Sequence, residues 1–343
     1  MASHDAVSIR RTGLVTSVGL TAPASCAAIR AKLTNPSETR FIDSNGKWIT
    51  AHQVPLEAPL RGLRRLAQMA AMAIEEALQD VPMSEWNGLP LLLCVAEPER
   101  PGRADRLDDQ LYQMIQAELG ASFANGSGTF AQGHVGVAIA LVQARSMLAA
   151  GKARQVVIAA VDSLLSWPTL NHYEQRDRLL TEKNSNGFMP GEAAGAVLVT
   201  PLSGESGELL CTGIGFGHEA AHIDSEQPLR ADGLSQAISA ALADAGSKMH
   251  DMNVRITDIS GEQYYFKEAS LALSRTMRVT KKCFDLWHPA ECTGDVGAAS
   301  GITILAAAKA ACDKRYIPGR NILVHMANDA GQRAAMTLHL PKN

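Results

Sequence analysis

Short apolar, strand-like runs alternate with amphipathic helices along all 343 residues, and the alternation runs twice. The first round has a strand at 7–17, a helix at 24–33 opened by Pro23, and a polar, irregular stretch at 34–57. A helix at 61–79 follows, in which Leu63, Leu66, Met69, Ala70, Ile74 and Leu78 recur at i, i+3, i+4 spacing. Then come a strand at 89–95, a helix at 105–119, a helix at 135–150 stopped by Gly151, and strands at 155–160 and 195–200. The second round has a strand at 208–215, a helix at 233–245, a strand at 256–260 and helices at 267–278 and 297–311. Strands at 321–326 and 334–340 close it. Such alternation implies an α/β architecture with mostly parallel strands. The length and the two-fold echo imply two similar halves, 1–205 and 206–343.

Composition narrows the function classes. At 46% hydrophobic and 20% charged the chain carries a core and is not a disordered polypeptide. A net charge of −3 lacks the basic balance of a nucleic-acid-binding face. Aromatics at 5%, beside abundant Ala and Gly, suit helices packed closely on a buried sheet. Apolar runs such as 156–161 are too short to cross a bilayer, and the first residues, MASHDAVSIRRTG, carry no apolar signal segment. The cysteines (26, 94, 211, 283, 292 and 312) form no CxxC pair and read as free thiols of a cytoplasmic protein.

Few textual motifs carry chemistry. His218-Glu219-Ala220-Ala221-His222 is an HExxH, which on a helix binds zinc with Glu as base. Gly213-Ile214-Gly215-Phe216-Gly217 precedes it and Pro228 follows, so little helix is expected there. The glycine run itself lacks the dinucleotide spacing. The loop at 125–128 leads into the helix at 135, whose start would hold an anion or a nucleophile but reads Gly133-His134. Cys94 ends an apolar strand as a buried thiol, whereas Cys292, in a polar stretch, is the cysteine expected to be accessible.

Four stretches resemble the β-ketoacyl-ACP synthases and the wider thiolase-like superfamily. They are 61–78, 133–163 (GHVGVAIALVQARSMLAAGKARQVVIAAVDS), 187–199 (GFMPGEAAGAVLV) and 293–306 (TGDVGAASGITILA). The resemblance implies an α/β thiolase-like fold, two similar halves in a five-layer α-β-α-β-α arrangement, and a homodimer formed through the strand at 155–161. It also implies a Cys at the helix start to attack an acyl thioester, and two His, or His and Asn, to stabilise the enolate and oxyanion.

The sequence departs at each of those places. The nucleophile position falls on His134, or on Gly133 with a one-residue slip. The first catalytic His gives way to Ser260-Gly261-Glu262-Gln263 and the second to Gly294-Asp295-Val296-Gly297. The C-terminal glycine loop is Ala327-Asn328-Asp329-Ala330-Gly331. If the fold is kept, His134, Glu262 and Asp295 converge, and a His beside carboxylates has a raised pKa suited to a general base or a metal ligand. The resemblance thus implies a catalytically degenerate ketosynthase homologue. It would need no cofactor and would work as a scaffold or adaptor for a protein partner, an acyl carrier protein or a type VI secretion effector. The alternatives are an active 3-oxoacyl-ACP synthase or other acyltransferase with an unconventional site, and a zinc peptidase using His218, Glu219 and His222.

Overall fold

A computed structural model describes residues 6–204 and 207–341; the expected boundary between 205 and 206 lies outside them. The first half runs β1 (Val7–Val15), α1 (Ala22–Arg30), β2 (Ser37–Ile42), β3 (Trp48–Ala51), α2 (Gly62–Ala77), β4 (Leu91–Val95) and α3 (Leu107–Leu119). It continues with β5 (Gly128–Ala131), α4 (Gly136–Ala149), β6 (Val156–Ser163), α5 (Trp167–Glu174) and β7 (Glu192–Pro201). The second runs β8 (Leu209–His218), α6 (Asp232–Asp244), β9 (Val254–Thr257), α7 (Gln263–Thr276), β10 (Leu286–Trp287), α8 (Ala290–Thr293), α9 (Ser300–Asp313), β11 (Asn321–Ala327) and β12 (Gln332–His339). The stretch at 34–57, expected to be irregular, holds the separate β2–β3 hairpin.

The strand order β10-β9-β11-β12-β8-β1-β7-β6-β4-β5 is symmetric about its middle. Each half supplies five strands in equivalent places, and the two half-sheets join where Val7–Ile9 of β1 meets Leu209–Cys211 of β8. The expectation of mostly parallel strands is corrected. The pairs among β4, β5, β6 and among β9, β10, β11 are parallel, but β7, β1, β8 and β12 pair antiparallel. The short turn from β11 to β12 dictates antiparallel neighbours, because a parallel return needs a long crossover.

Layering follows from which faces are apolar. In α2, Leu66, Met69, Ala70, Ala73, Ile74 and Ala77 form one stripe. With α3 that stripe covers the outer face of the first half-sheet. Helices α6 and α7 cover the second in the same way. Helices α4 and α9 are instead apolar nearly all round, as a helix buried on every side must be. They lie between the half-sheets, in one core with residues of β4, β6, β7, β9, β11 and β12. Their crossing is so close that a Cβ on Gly301 would sit 2.7 Å from Val137 Cβ. The result is the expected five-layer α-β-α-β-α order.

Candidate active-site cleft

The two central helices start alike. Gln132 (φ −129°, ψ 13°) precedes the short 3-10 turn Gly133–Val135 and then α4. Val296 (φ −112°, ψ 19°) precedes Gly297–Ala299 and then α9. Gly133 (φ 52°) and Gly297 (φ 53°) take the left-handed conformation that costs a side-chain-bearing residue dearly. Each also presses on a carboxylate: a Cβ would fall on Glu97 Oε2 in one case and on Asp162 Oδ2 in the other. Arg100, in the loop after β4, bridges both acids. It donates to Glu97 from Nε (3.2 Å) and Nη2 (2.8 Å), and to Asp162 from Nη1 (2.7 Å). Asp162 Oδ2 also accepts from the Ala298 amide at 2.8 Å, at the start of the opposite helix.

Above this bridge His134 meets Asp295, Nε2 to Oδ1 at 2.9 Å. The same oxygen accepts from the Gly297 amide (2.9 Å), and the Ser260 hydroxyl is 3.4 Å from Oδ2. Burial opposes the charge on His134, but Asp295, with Asp258 and Glu97 nearby, lifts its pKa from 6.5 to about 10. The same contact holds Asp295 below the usual carboxylate range against its own burial. Burial pushes Asp258 up to about 6, partly checked by His134. The carboxylates around it thus favour the imidazolium form of His134. The raised pKa agrees with the expectation of a His beside carboxylates; the charged form has no lone pair with which to take up a proton or ligate a metal.

A second cluster closes the other side. Arg178 donates from Nε and Nη2 to the two oxygens of Glu262, both at 2.7 Å, and to Asp329 at 2.6 and 3.0 Å. Tyr265 (2.5 Å) and Tyr173 (3.2 Å) also donate to Asp329. Burial opposes ionisation of Asp329, yet Arg178 and Tyr265 hold it far below the usual range. A cavity of about 420 Å³ opens here, between Gln132, the 328–332 loop, Tyr173 and His222.

Of the expected site residues, His134, Ser260 and Asp295 meet directly. Glu262 does not join them, because Arg178 captures it. Gly133 and Gly294 are backbone devices: Gly294 (φ 69°) lies against the Met189 carbonyl, while the Asp295 amide donates to Met189 O (2.8 Å) and the Gly191 amide to Asp295 O (2.8 Å). The 187–199 stretch thus clasps the 294–295 loop of the other half. At the strand–helix turn the residue before Gly133 is Gln132, whose Oε1 accepts from Gln332 Nε2 at 3.3 Å. Sequence reasoning missed Gln132, Glu97, Arg100, Arg178 and Asp258. All lie in loops or at strand ends without a motif, although Gln132 directly precedes the helix start already singled out.

Three further expectations resolve. His218 ends β8 and Glu219 is buried, accepting from the Ala221 (3.2 Å) and Gly233 (2.9 Å) amides to cap α6. The HExxH is therefore a strand end and a turn, and its histidines share no helical face. Cys292 is fully buried against the Ile29 carbonyl, its thiol pushed up to about 11 by burial, so the expectation of an accessible thiol is corrected. The exposed cysteine is Cys283, and Cys94 is buried as expected. The strand at 155–161 cannot form a dimer seam, because β4 and β7 occupy both edges of β6; the free edge of this half-sheet is β5.

No protein-family model matches the sequence, and no curated protein does. Solved structures match over nearly the whole chain. A type II polyketide acyl-carrier protein in complex with its ketosynthase, bound to the hexaketide, matches with a TM-score of 0.81 at 15% identity, over 99% of this chain and 100% of that one. The ishigamide ketosynthase/chain length factor matches with 0.80 at 18% identity, over 100% of both chains. A ketosynthase in complex with its chain length factor from Xenorhabdus doucetiae matches with 0.73 at 12% identity, over 98% of both. At such identities the shared property is architecture. Together with the symmetric strand order and the paired helices buried between the half-sheets, these superpositions give the chain the thiolase-like fold of the ketosynthases.

Proposed function

We propose that this chain is a ketosynthase-fold protein without condensing chemistry, which acts by binding a protein partner. One observation carries the proposal. Where the two central helices begin, the side chains are an amide (Gln132), an imidazolium (His134) and ion-paired acids and arginines (Glu97, Arg100, Asp162, Asp295). None of these is the thiol or hydroxyl that ordinarily carries the acyl group of an acyl-enzyme, and the imidazole and the acids are held in ion pairs. Gly133, His134, Ser260, Glu262, Gly294 and Asp295 are in this reading the groups that stand in for a triad and lock the halves together.

Two of the matched structures pair a ketosynthase with a chain length factor, and another holds an acyl-carrier protein. That company supports a pairing role here, with a second ketosynthase-fold chain as the first partner and this chain's own copy as the simplest one. The half-buried edge strand β5 offers unpaired backbone groups. Beside it Phe130, Ile139, Val142 and Phe216 line an apolar hollow. An adaptor role toward an acyl carrier protein or a type VI secretion effector is the same mode of action with a different partner.

The test has two arms. Incubation with acetyl-CoA or malonyl-CoA, read by intact mass and thioester loss, is expected to give no adduct and no decarboxylation. Light scattering is expected to show a dimer that Phe130→Lys with Val142→Lys dissociates. An acyl adduct, or malonyl-CoA turnover lost in His134→Ala, overturns the non-condensing reading. A monomer that engages no ketosynthase-fold chain overturns the pairing.

A further inference from the structure

A second cavity, of about 640 Å³, lies outside the cleft at the carboxyl ends of β4 and β6, between the starts of α2, α3 and α5. Arg100 and its acids form the wall between the two spaces. The volume is that of a small-molecule site, and the place is where open α/β sheets bind ligands.

Its charges are lopsided. The carboxylates lining it, Asp162 and Glu192, are already paired. Asp162 takes Arg100; Glu192 takes Arg65 and the Ser163 hydroxyl, the latter at 2.9 Å. Arg103 is held by Asp108. Arg40 and Arg61 also line the cavity, and neither has a carboxylate partner among the described residues. The start of α2 sharpens this imbalance. Arg61 is its N-cap, Arg64 and Arg65 fall in its first turn, no side chain caps its amides, and no acidic residue is present there. Cations at a helix N-terminus oppose the helix dipole. Glu192 offsets Arg65, but Arg61 and Arg64 have no acid partner among the described residues, and a local rule broken without such compensation marks a functional position. Phe41 and Trp167 stand on the same wall, rings 6.3 Å apart and tilted by 31°. Trp167 is 46% exposed, and the Arg40 guanidinium lies 5.0 Å from the Phe41 ring.

Together the geometry points to a binding site for a nucleoside phosphate: a planar base against Trp167 and Phe41, with its phosphate between Arg40 and Arg61 at the uncapped start of α2. Aromatic faces hold a base whatever its identity, and an anion satisfies both the arginines and the free amides. The site shares no reacting group with the cleft and does not depend on the pairing proposed above.

The test is calorimetric titration of the full chain with AMP, adenosine and ribose 5-phosphate, with Trp167 fluorescence as a local readout. AMP is expected to bind and to quench. Adenosine, lacking the charge, and ribose 5-phosphate, lacking the ring, are expected to bind about 10-fold more weakly or worse. Arg40→Glu with Arg61→Glu, at exposed positions that pair with no acid, is expected to abolish AMP binding with the melting temperature kept; Trp167→Ala is expected to weaken it. Added salt is expected to weaken binding. No AMP binding, or AMP affinity unchanged in the double arginine variant, overturns the site. Equal binding of AMP and ribose 5-phosphate overturns the role of the rings.

Discussion

His134→Gln is the perturbation that most directly probes the cleft. The His134 side chain is 15% exposed and Asp295 14%, so the pair is close to fully desolvated. Removing the cation leaves Asp295 and the nearby Asp258 without the positive charge they share, while Glu97 keeps Arg100. Breaking a buried pair from one side costs roughly 3–5 kcal/mol. Linkage gives an independent figure and a sign. Because the folded pKa is raised from 6.5 to about 10, the stabilisation is fully present below pH 6.5 and is lost as pH rises toward 10. At about 1.4 kcal/mol per pH unit, the wild-type advantage is still about 3 kcal/mol near pH 7.5 and falls below about 1 kcal/mol near pH 9.5. Asp258, already pushed up by burial to about 6, rises further in the variant. The variant therefore regains stability when acidified below neutrality. Urea unfolding of both proteins across this pH range measures the gap. A gap that stays constant with pH, or one under about 1 kcal/mol at neutral pH, refutes the assignment of His134 as an imidazolium clamp.

Other positions follow from the same geometry. Gly133→Ala and Gly297→Ala are each expected to cost more than the roughly 1–2 kcal/mol of a left-handed backbone, because the new methyl meets Glu97 or Asp162. Gly151→Ala, at φ 64° in open space, is expected to pay only that backbone cost, and equal losses at all three in chemical denaturation would contradict the contact. Arg178→Met strands Glu262 and Asp329 and is expected to destabilise by roughly 3–5 kcal/mol; an unchanged melting curve would show that the cluster is not coupled to folding. Iodoacetamide at neutral pH is expected to label Cys283 in the native protein and to leave Cys292 untouched until unfolding, and peptide mapping that finds Cys292 labelled at a similar rate would contradict its burial.

Periodicity was informative where an element has one dominant environment. Helices α2, α4 and α9 were legible because a stripe or an all-round apolar surface repeats at the helical period for several turns. The β2–β3 hairpin was hidden because its mostly exposed strands carry SETRFI and WITA, which lack a strict alternation. Strands β5 and β10 are four and two residues long and half-exposed, below what alternation can register. Strand direction was misjudged for a different reason: a fully buried run such as VVIAAVDS in β6 or EAAGAVLVTP in β7 reads the same whether its neighbour is parallel or antiparallel.

The cleft was legible as a place before it was legible as chemistry. Small residues such as Gly133 and Gly297 mark a backbone that must turn sharply into a buried helix, and that demand shows in the sequence. The charges that fill the turn answer a tertiary demand. Helices α4 and α9 bring their positive N-terminal ends together in a largely buried space, and unbalanced dipoles there favour nearby anions. Asp162 and Asp295 take amides from the start of α9, Glu97 lies against Gly133, and Arg100 and His134 neutralise the excess acid. A ketosynthase-type site needs the same helix ends left available to lower a thiol's pKa and to hold an oxyanion. Here the amides at the start of α9 are taken by Asp162 and Asp295 of the protein itself. Placing a cysteine at Gln132 or His134 alone is therefore expected not to give acyl transfer, because the amides at the start of α9 facing it are already taken by Asp162 and Asp295; an acyl adduct on either variant in intact mass would contradict this.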